Sequence, residues 1–550
     1  GMEWMKDQSN IMRSTTFLTG STFISKLIGV FYLIPLFMIL GGEENLSLYG
    51  YAYVPYTIML TMASAGMPGA VSKYVAKYNA LGAYKVSEKL YKSSFLIMLA
   101  SGFVFFVLMF IGAPFIAELT IAGKDNVGWS KDDVTDVVRV VSFAIILIPF
   151  FATWRGVFQG FESFGPTALS VVVEQLGRVL FLLTGAYIVM EMLGGSIKLA
   201  NEVATFGATI GCLSGLVVLW MFWRKRYPHI KKQIDSDDTH IDVNYKRMYF
   251  DIIKTSIPFV VVSITYPLLM IIDQFTLSKG LSLADVPEML HDKYFAMLNM
   301  TTHKIVMIPS SLAAGFAVAL LPYVAKTFAR GEHHEVSEQI KGMIGTVLFF
   351  TLPASVGIFI LAAPLYTSFY HYDIDGITLL YNYAPVSILV SLFSLIAAIL
   401  QSIDRQYLSM WIVFVMLGLK ALLNIPMVTL FETKGAVYTT LLVFVIGIII
   451  FLLFIKKYTE FRVRMLTRTI ILNVFYTLCM AVSVMLVYMA LAFTVFDISN
   501  RIHAVLTLII SVLVGMFVYG FTTLRSHFAD LFIPKLSAKI RHKFKLGTSS

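Results

Sequence analysis

Two lysines lie deep inside long apolar stretches of the sequence, where a charged side chain is costly. Lys26 falls near the middle of the apolar run 15–40, and Lys304 lies within the run 295–321. An ionisable group at such depth in a membrane is a candidate for function, and an ammonium binds phosphate as a point charge. We therefore predict that both lysines bind a phosphate group of a substrate. The alternative is an internal salt bridge. His303 could sense protons, although a packing role is favoured.

A second group of charged residues lies in the apolar runs 134–160 and 166–191. Glu174 and Arg178 have the i,i+4 spacing that lets opposite charges pair on one helix face. Arg155 is then a surplus cation at a similar depth. We favour a structural lock between adjacent helices. The alternative is a portal that recognises an anionic headgroup from the inner leaflet.

Two further charged residues leave more than one interpretation open. The chain contains two copies of one unit, as described below, and Lys420 in the second copy corresponds to Arg178 in the first. Lys420 has no acidic residue four positions earlier. It either faces a cavity or pairs across helices. Asp273 is placed near the outer end of its apolar run. Three interpretations are open for it: binding a cation, pairing with Lys304, or lying at the membrane interface as a carboxylate.

The sequence offers little for enzymatic chemistry. It lacks the phosphate-binding motif G-x-x-x-x-G-K-(S/T), the zinc motif H-E-x-x-H and the nucleophile motif G-x-S-x-G. Its 10 histidines form no convincing metal-binding pattern, and its two cysteines, Cys212 and Cys479, lie inside apolar runs. We therefore predict a secondary transporter that is not an enzyme and uses no metal or cofactor.

The composition is that of a polytopic membrane protein. Of the 550 residues, 57% are hydrophobic and only 14% are charged, and the mean hydropathy is +0.77. Soluble domains carry about 25% charged residues. The formal net charge of +10 could suggest a nucleic-acid partner. However, Lys and Arg are concentrated in short loops between apolar runs, which the positive-inside rule explains. We expect no nucleic-acid partner.

Fourteen apolar runs are long enough to cross a bilayer as helices, which predicts an all-α polytopic protein with 14 transmembrane helices. They lie near residues 15–40, 48–72, 90–116, 134–160, 166–191, 202–223, 252–277, 295–321, 342–367, 378–402, 407–430, 436–455, 468–492 and 502–524. Lys and Arg concentrate in alternate loops and near both ends of the chain. This distribution predicts an even number of spans with both termini in the cytoplasm.

One motif occurs twice and indicates a duplicated unit. Residues 65–82 are echoed by residues 314–331, including the sequence Tyr-Val-Ala-Lys. The copies lie six spans apart and therefore run in the same direction, which predicts two parallel six-helix lobes plus two C-terminal helices. The expected parts are a first lobe (1–223), a basic cytoplasmic linker (224–250), a second lobe (251–457), and helices 13 and 14 with a basic tail (458–550). The tail is expected to lie against anionic headgroups, or to be solvated.

Several sequence blocks resemble a known family. Residues 25–29 (SKLIG) are similar to the S-(R/K)-x-x-G motif of lipid-linked-oligosaccharide flippases, and residues 65–78 (AGMPGAVSKYVAKY) are typical of the same group. The block R-G-x-x-Q-G at 155–160 is followed by P-T-x-x-S-x-x-x-E-Q-x-x-R at 166–178. Together the blocks resemble the YtgP/SpoVB branch of the polysaccharide-transporter family in the MOP (MATE-like) superfamily. That branch includes MurJ-type lipid II flippases of Gram-positive bacteria.

The resemblance implies a two-lobed fold around a central cavity lined by spans 1, 2, 7 and 8. It implies a flippase of the bacterial cytoplasmic membrane that moves lipid II, an undecaprenyl-pyrophosphate-linked peptidoglycan precursor, to the outer leaflet by alternating access. Gram-negative relatives carry several arginines that face the cavity. Here span 1 offers Lys26, and span 8 offers His303-Lys304 where those relatives have an acid–Arg pair. The expected partners are this lipid-linked oligosaccharide and membrane lipids. We expect a monomer, with contact to the cell-wall synthesis machinery as an additional hypothesis.

Other functions remain as alternatives at this stage. One is a flippase for another lipid-linked polysaccharide unit. Another is a MATE-type drug or cation antiporter, which would want acidic residues deep in its cavity. A third is a non-transporting scaffold for cell-wall enzymes. For a flippase, the membrane potential would favour export of an anion by about 2.3 kcal/mol per charge for every 100 mV. We therefore predict transport driven by the potential.

Overall fold

The computed structural model describes residues 2–125 and 127–545, without the side chains of residues 2–16, 64, 67 and 312–322. Helices account for nearly all of these residues, and no strand occurs among them. The chain forms two compact units, Gly1–Ala296 and Met297–Ser550. Half of the second copy of the repeat, residues 314–322, has its side chains outside the described set.

The first unit contains the helices up to the start of predicted span 8. They are α1 (Met2–Phe31), α2 (Leu33–Leu40), α3 (Glu43–Ser64), α4 (Met67–Ala80), α5 (Tyr84–Ile121), α6 (Lys131–Gly160), α7 (Gly165–Tyr187), α8 (Ile197–Asp235), α9 (Tyr245–Ser263), α10 (Thr265–Leu283) and α11 (His291–Ala296). A π-helical turn, Ile188–Met192, extends α7. Local capping fixes several helix starts. The Ser130 hydroxyl accepts from the Asp133 amide, and the Asp133 carboxylate accepts from the Ser130 amide.

The second unit begins with a π-helical turn, Met297–Thr301. Its helices are α12 (Thr302–Ala329), α13 (His333–Ile360), α14 (Ala362–Phe369), α15 (Ile374–Tyr383), α16 (Val386–Ser402), α17 (Gln406–Phe431), α18 (Thr433–Tyr458), α19 (Thr467–Thr494), α20 (Arg501–Arg525) and α21 (Pro534–Phe544). The lobe boundaries predicted from the sequence stay a prediction.

The predicted spans coincide with these helices. Among the described residues, 11 helices are long and apolar enough to cross a membrane, and α9 with α10, bent by 56°, makes up to 12. The other two predicted spans correspond to α3 followed by α4, and to α11 followed by α12. The protein is therefore an all-α polytopic membrane protein, as the sequence predicts. The predicted loop 224–250 is partly helical, because α8 continues to Asp235.

Predicted span 2 is broken at Gly66, between α3 and α4. Gly66 has φ +76°, a conformation that costs glycine little and other residues more. A Cβ atom there would lie 2.9 Å from the Ser256 Cβ on α9, so the two backbones approach closely at this point. The sequence predicted one continuous helix here. The break follows from a residue that both permits the turn and allows the close contact.

Candidate functional site

Lys26 is exposed on α1, beside the edge that α1 packs against α7. The Gln175 side chain on α7 donates to the Ser25 carbonyl at 3.4 Å, and a Cβ atom at Gly29 would lie 2.8 Å from the Gln175 Nε2. Lys26 itself is exposed. Among the described residues it has neither an ion-pair partner nor a hydrogen-bond partner. The alternative of an internal salt bridge thus finds no support in the described part of the chain.

Lys304, the predicted counterpart in the second repeat, has a different environment. Its residue surface is only 7% exposed, and it lies one turn into α12 after the π-helical turn. Hydrogen bonds hold this turn. Thr301 and Tyr366 share a hydroxyl contact at 3.0 Å, and the Tyr370 hydroxyl donates to the Thr301 carbonyl at 3.0 Å. His303 is half-buried beside it. Lys26 is therefore exposed, whereas Lys304 is buried.

Arg155 and Glu174 form an ion pair between α6 and α7. The Arg155 Nη2 lies 2.7 Å from the Glu174 Oε2, and the Arg155 Nε donates to the Ser170 hydroxyl at 3.0 Å. The guanidinium also lies 3.8 Å from the centroid of the Phe151 ring. The side chains are 16% and 17% exposed. These partly buried contacts join α6 to α7, and the choice between a structural lock and a portal stays a prediction.

Arg178 does not pair with the Glu174 carboxylate, which the i,i+4 spacing suggested as its partner. Its guanidinium donates to the Gln175 Oε1 and to the Tyr49 hydroxyl, each at 3.0 Å, and lies 4.6 Å from the Tyr32 ring centroid. The Tyr32 and Tyr49 hydroxyls are 2.8 Å apart. Arg178 thus joins α7 to the first two predicted spans through aromatic groups. The pairing predicted between Glu174 and Arg178 is corrected, because Arg155 occupies the carboxylate.

Close packing by α8 explains the direction of these side chains. A Cβ atom at Gly211 of α8 would lie 2.8 Å from the Glu174 carbonyl oxygen and 2.9 Å from the Arg178 Cβ. Small residues let membrane helices approach in this way. With α8 directly against the backbone of this turn, the two charged side chains extend to either side of the contact. Glu174 reaches α6, and Arg178 reaches α3.

Lys420 is fully buried between α17 and α18. Its Nζ donates to the Ala436 carbonyl and to the Thr440 hydroxyl, each at 2.9 Å. These hydrogen bonds are contacts across helices, one of the two interpretations left open by the sequence, and a place for Lys420 in a cavity stays a prediction. Lys420 therefore contributes to the packing of these two helices.

Asp273 is 3% exposed and lies in the middle of α10, which continues to Leu283. The α10 helix extends beyond the apolar run 252–277, and the place of Asp273 near the outer end of the span stays a prediction. The adjacent Gln274 donates from its Nε2 to the Tyr51 carbonyl and to the Thr120 hydroxyl, each at 3.0 Å. This part of α10 is therefore packed among spans 2 and 3.

Sequence reasoning missed a buried charged cluster around Asp292 in α11. Asp292 accepts from the Lys124 ammonium at 2.6 Å, the Tyr51 hydroxyl at 2.5 Å and the Trp129 amide at 3.0 Å. Gly128, with φ +74°, lies so close that a Cβ atom there would be 2.2 Å from the Asp292 Oδ2. No local spacing could reveal these contacts, since Lys124 and Asp292 lie 168 residues apart.

Comparison with known proteins places this architecture in a class. The fold matches the solved structure of a lipid II flippase, MurJ, in an inward closed conformation, with a TM-score of 0.63 and 17% identity over 94% of this chain and 99% of that one. It also matches an inward-facing multidrug resistance MATE transporter of the MOP superfamily, with a TM-score of 0.57 and 14% identity over 81% of this chain and 95% of that one. The protein thus has the fold of MOP-superfamily transporters.

Sequence similarity gives the family. The profile of the family described as polysaccharide biosynthesis protein matches residues 11–328, more than half of the chain. The lipid II flippase MurJ of Bacillus subtilis is 35% identical over 93% of this chain and 94% of its own length. The chain belongs to the polysaccharide biosynthesis protein family. The resemblance seen in the sequence blocks is confirmed.

Proposed function

We propose that this protein is a flippase that moves lipid II from the inner to the outer leaflet of a bacterial cytoplasmic membrane. The observation that carries the proposal is the 35% identity, along nearly the whole of both chains, to the Bacillus subtilis lipid II flippase. The MATE-type alternative is not favoured, since the structural match to a MATE transporter supports only a common fold.

Recognition of the pyrophosphate is assigned to the cations of the first and eighth spans. Lys26 is the stronger candidate, because it is exposed on α1 and has no partner among the described residues. An unpaired ammonium can bind phosphate without first giving up a protein contact. Lys304 is buried, so it would contribute only after movement of the residues packed on it. His303, the neighbour of Lys304, is proposed to assist it in binding the substrate.

The transport cycle proposed here is alternating access between two six-helix lobes. Both termini face the cytoplasm, as the distribution of Lys and Arg predicts. The headgroup enters from the inner leaflet while the polyprenyl chain stays in lipid, and the lobes then expose it to the outside. No hydrolytic step is involved. The membrane potential drives export because the headgroup is anionic.

The decisive experiment is depletion of the protein in its host, followed by measurement of lipid II in each leaflet. We expect lipid II to accumulate in the inner leaflet. If lipid II remained distributed normally while a different lipid-linked glycan was retained inside, the substrate would be that glycan. If every lipid-linked glycan reached the outer leaflet normally, the flippase proposal would be wrong and the scaffold alternative would be favoured.

The driving force has its own test in vesicles containing the purified protein. An imposed potential, negative on the side from which lipid II departs, should accelerate its translocation. The control is an equal potential of the opposite sign. If the translocation rate were the same under both potentials, the potential would not drive transport. The assignment of lipid II as the substrate would be unaffected.

A further inference from the structure

The last helix, α21, is attached to the end of α20 by a largely buried polar network. Arg541 is 3% exposed and donates to the Asp530 Oδ1 at 2.7 Å and to the Leu524 carbonyl at 2.9 Å. The Ser537 hydroxyl donates to the same carboxylate. Ser537 and Arg541 lie one turn apart on one side of α21. The helix is therefore fixed in rotation, and its other sides are presented outward.

Apolar packing supports the same attachment. Phe528 and Ala529, in the short 3₁₀ turn before α21, form a buried cluster with Phe349 and Leu524. Ile540 of α21 packs against this cluster. The helix α21 is thus neither detached nor fully solvated. It is a docked element with a defined outer surface.

The outward surface of α21 is strongly basic. Lys535, Lys539, His542 and Lys543 are all exposed. Their spacing of four and then three or four residues places them on one side of the helix. The helix sequence PKLSAKIRHKF contains no acidic residue. This side is complementary to a negatively charged surface.

Beside the basic side lie large apolar side chains that the protein leaves uncovered. Leu536 is 52% exposed and Phe544 is 63% exposed, and they lie two turns apart on α21. Leu531, just before the helix, is 66% exposed. Adjacent basic and apolar strips are typical of helices that lie in the membrane interface.

The location of α21 favours a lipid surface. The helix begins nine residues after Arg525, the last residue of α20, and Arg541 contacts the last turn of α20 directly. The start of α19 belongs to the same end of this helix pair. Arg468 in its first turn and Arg464 in the 3₁₀ turn just before it are both exposed. A span end surrounded by cations lies where the anionic headgroups of a bilayer are found.

We propose that α21 is a binding surface for anionic phospholipid headgroups in the leaflet that adjoins the end of α20. The lysines contact the phosphates, and Leu536 and Phe544 enter the boundary between headgroups and acyl chains. The Arg541–Asp530 attachment holds the helix in this orientation. On the topology proposed above this is the inner leaflet. The surface itself does not depend on which substrate the protein transports.

The test compares hydrogen–deuterium exchange of residues 534–545 in the full-length protein, reconstituted in two kinds of nanodisc. One kind contains only phosphatidylcholine, and the other also contains phosphatidylglycerol. Binding of anionic lipid stabilises the docked helix. We expect its exchange to be slower in phosphatidylglycerol by about tenfold or more, the effect of several lysines near an anionic surface. The variant Lys535→Gln/Lys539→Gln/Lys543→Gln should lose the difference between the two lipids.

The matched control removes the same number of charges elsewhere. Lys225, Lys231 and Lys232 are exposed on the extension of α8, and their replacement by Gln should leave the lipid dependence of α21 intact. Equal exchange of the unchanged protein in both lipids would overturn the proposal. So would an equal loss in the control variant. If the lipids made no difference but an acidic cytoplasmic protein slowed exchange, the surface would be a protein-binding site instead.

Discussion

The Lys124 Nζ lies 2.6 Å from the Asp292 Oδ1, and the two side chains are 2% and 1% exposed. The same carboxylate accepts from the Tyr51 hydroxyl and the Trp129 amide. These contacts fasten α3 and the loop after α5 to α11, the first part of predicted span 8. All three donors converge on one carboxylate. Its removal would therefore leave a buried ammonium without a counterion.

We predict that Asp292→Asn lowers the free energy of unfolding by about 3–5 kcal/mol, the usual cost of leaving one member of a buried pair unpaired. The double variant Lys124→Met/Asp292→Leu should lose much less, since no charge remains buried. Thermal unfolding of the purified protein provides the measurement. The matched control is Lys131→Met, because Lys131 and Glu118 form an exposed pair at 3.8 Å. Exposed pairs contribute about 0–1 kcal/mol. Equal shifts for Asp292→Asn and Lys131→Met would contradict the prediction.

Replacement of Lys26 should separate transport from stability. Because Lys26 has no partner among the described residues, Lys26→Gln should leave the unfolding temperature unchanged. Loss of one charge-assisted contact with phosphate should slow translocation roughly tenfold or more. Lys26→Arg keeps the charge and should retain most of the rate. The measurement is translocation of lipid II in vesicles, with Lys225→Gln as the control for a lost surface charge. A Lys26→Gln protein that transported normally would rule out this residue as the phosphate ligand.

The Arg155–Glu174 pair should show energetic coupling. In a double-mutant cycle, Arg155→Gln and Glu174→Gln should each destabilise the protein. Their coupling should be about 0.5–3 kcal/mol, as for residues in direct contact. The same cycle between Glu174→Gln and Arg178→Gln should give a smaller value, because Arg178 donates to Gln175 and Tyr49. Slower transport without any change in unfolding would instead favour the portal alternative.

The docking of α21 should depend on pH only at acidic pH, below about 4. Burial alone would raise the pKa of the Asp530 carboxyl, but hydrogen bonds from Arg541, Ser537 and His527 lower the pKa from 3.8 to about 2. A lowered folded-state pKa means that the carboxylate stabilises docking at every pH above 3.8. This contribution is lost as the pH falls from 3.8 towards about 2.

Limited proteolysis of the tail in detergent is the readout for this pH dependence. We expect constant protection near neutral pH and increasing cleavage below about pH 4, once intrinsic protease activity is corrected. Asp530→Asn should be cleaved readily at neutral pH and show no further acid transition. If Asp530→Asn were as well protected as the unchanged protein, the ion pair would not be what holds the helix.

The sequence predicted the helices well, because each apolar run is long enough to specify a spanning helix on its own. For Lys26 the sequence left two interpretations, a phosphate ligand and an internal salt bridge, and no ion pair of Lys26 is found among the described residues. The partners of the other charged residues were less accessible. Glu174 had a candidate four residues away on its own helix, yet its partner is Arg155, 19 residues earlier on α6. The spacing within a helix shows which pairs can form, but packing by neighbouring helices decides which do.

The charged cluster at Asp292 shows the same limit over a longer range. Its donors come from two separate places in the chain, α3 and the loop after α5, and Lys124 resembles an ordinary loop lysine when only its neighbours in sequence are considered. Gly128, whose backbone has φ +74°, is the one residue near Lys124 in sequence whose type is related to this contact. A glycine in a polar loop is too common to indicate a buried carboxylate. Only the tertiary structure brings these groups together.

The close approach at Gly66 has a mechanical consequence. Where α4 meets α9 at Ser256, two backbones touch through a residue without a side chain. Interdigitated side chains resist a change of crossing angle, because they must first be pulled out of one another. At Gly66 there is no side chain that must be withdrawn before the crossing angle can change. A change in the angle between α4 and α9 would therefore meet less resistance at Gly66 than at a contact between interdigitated side chains.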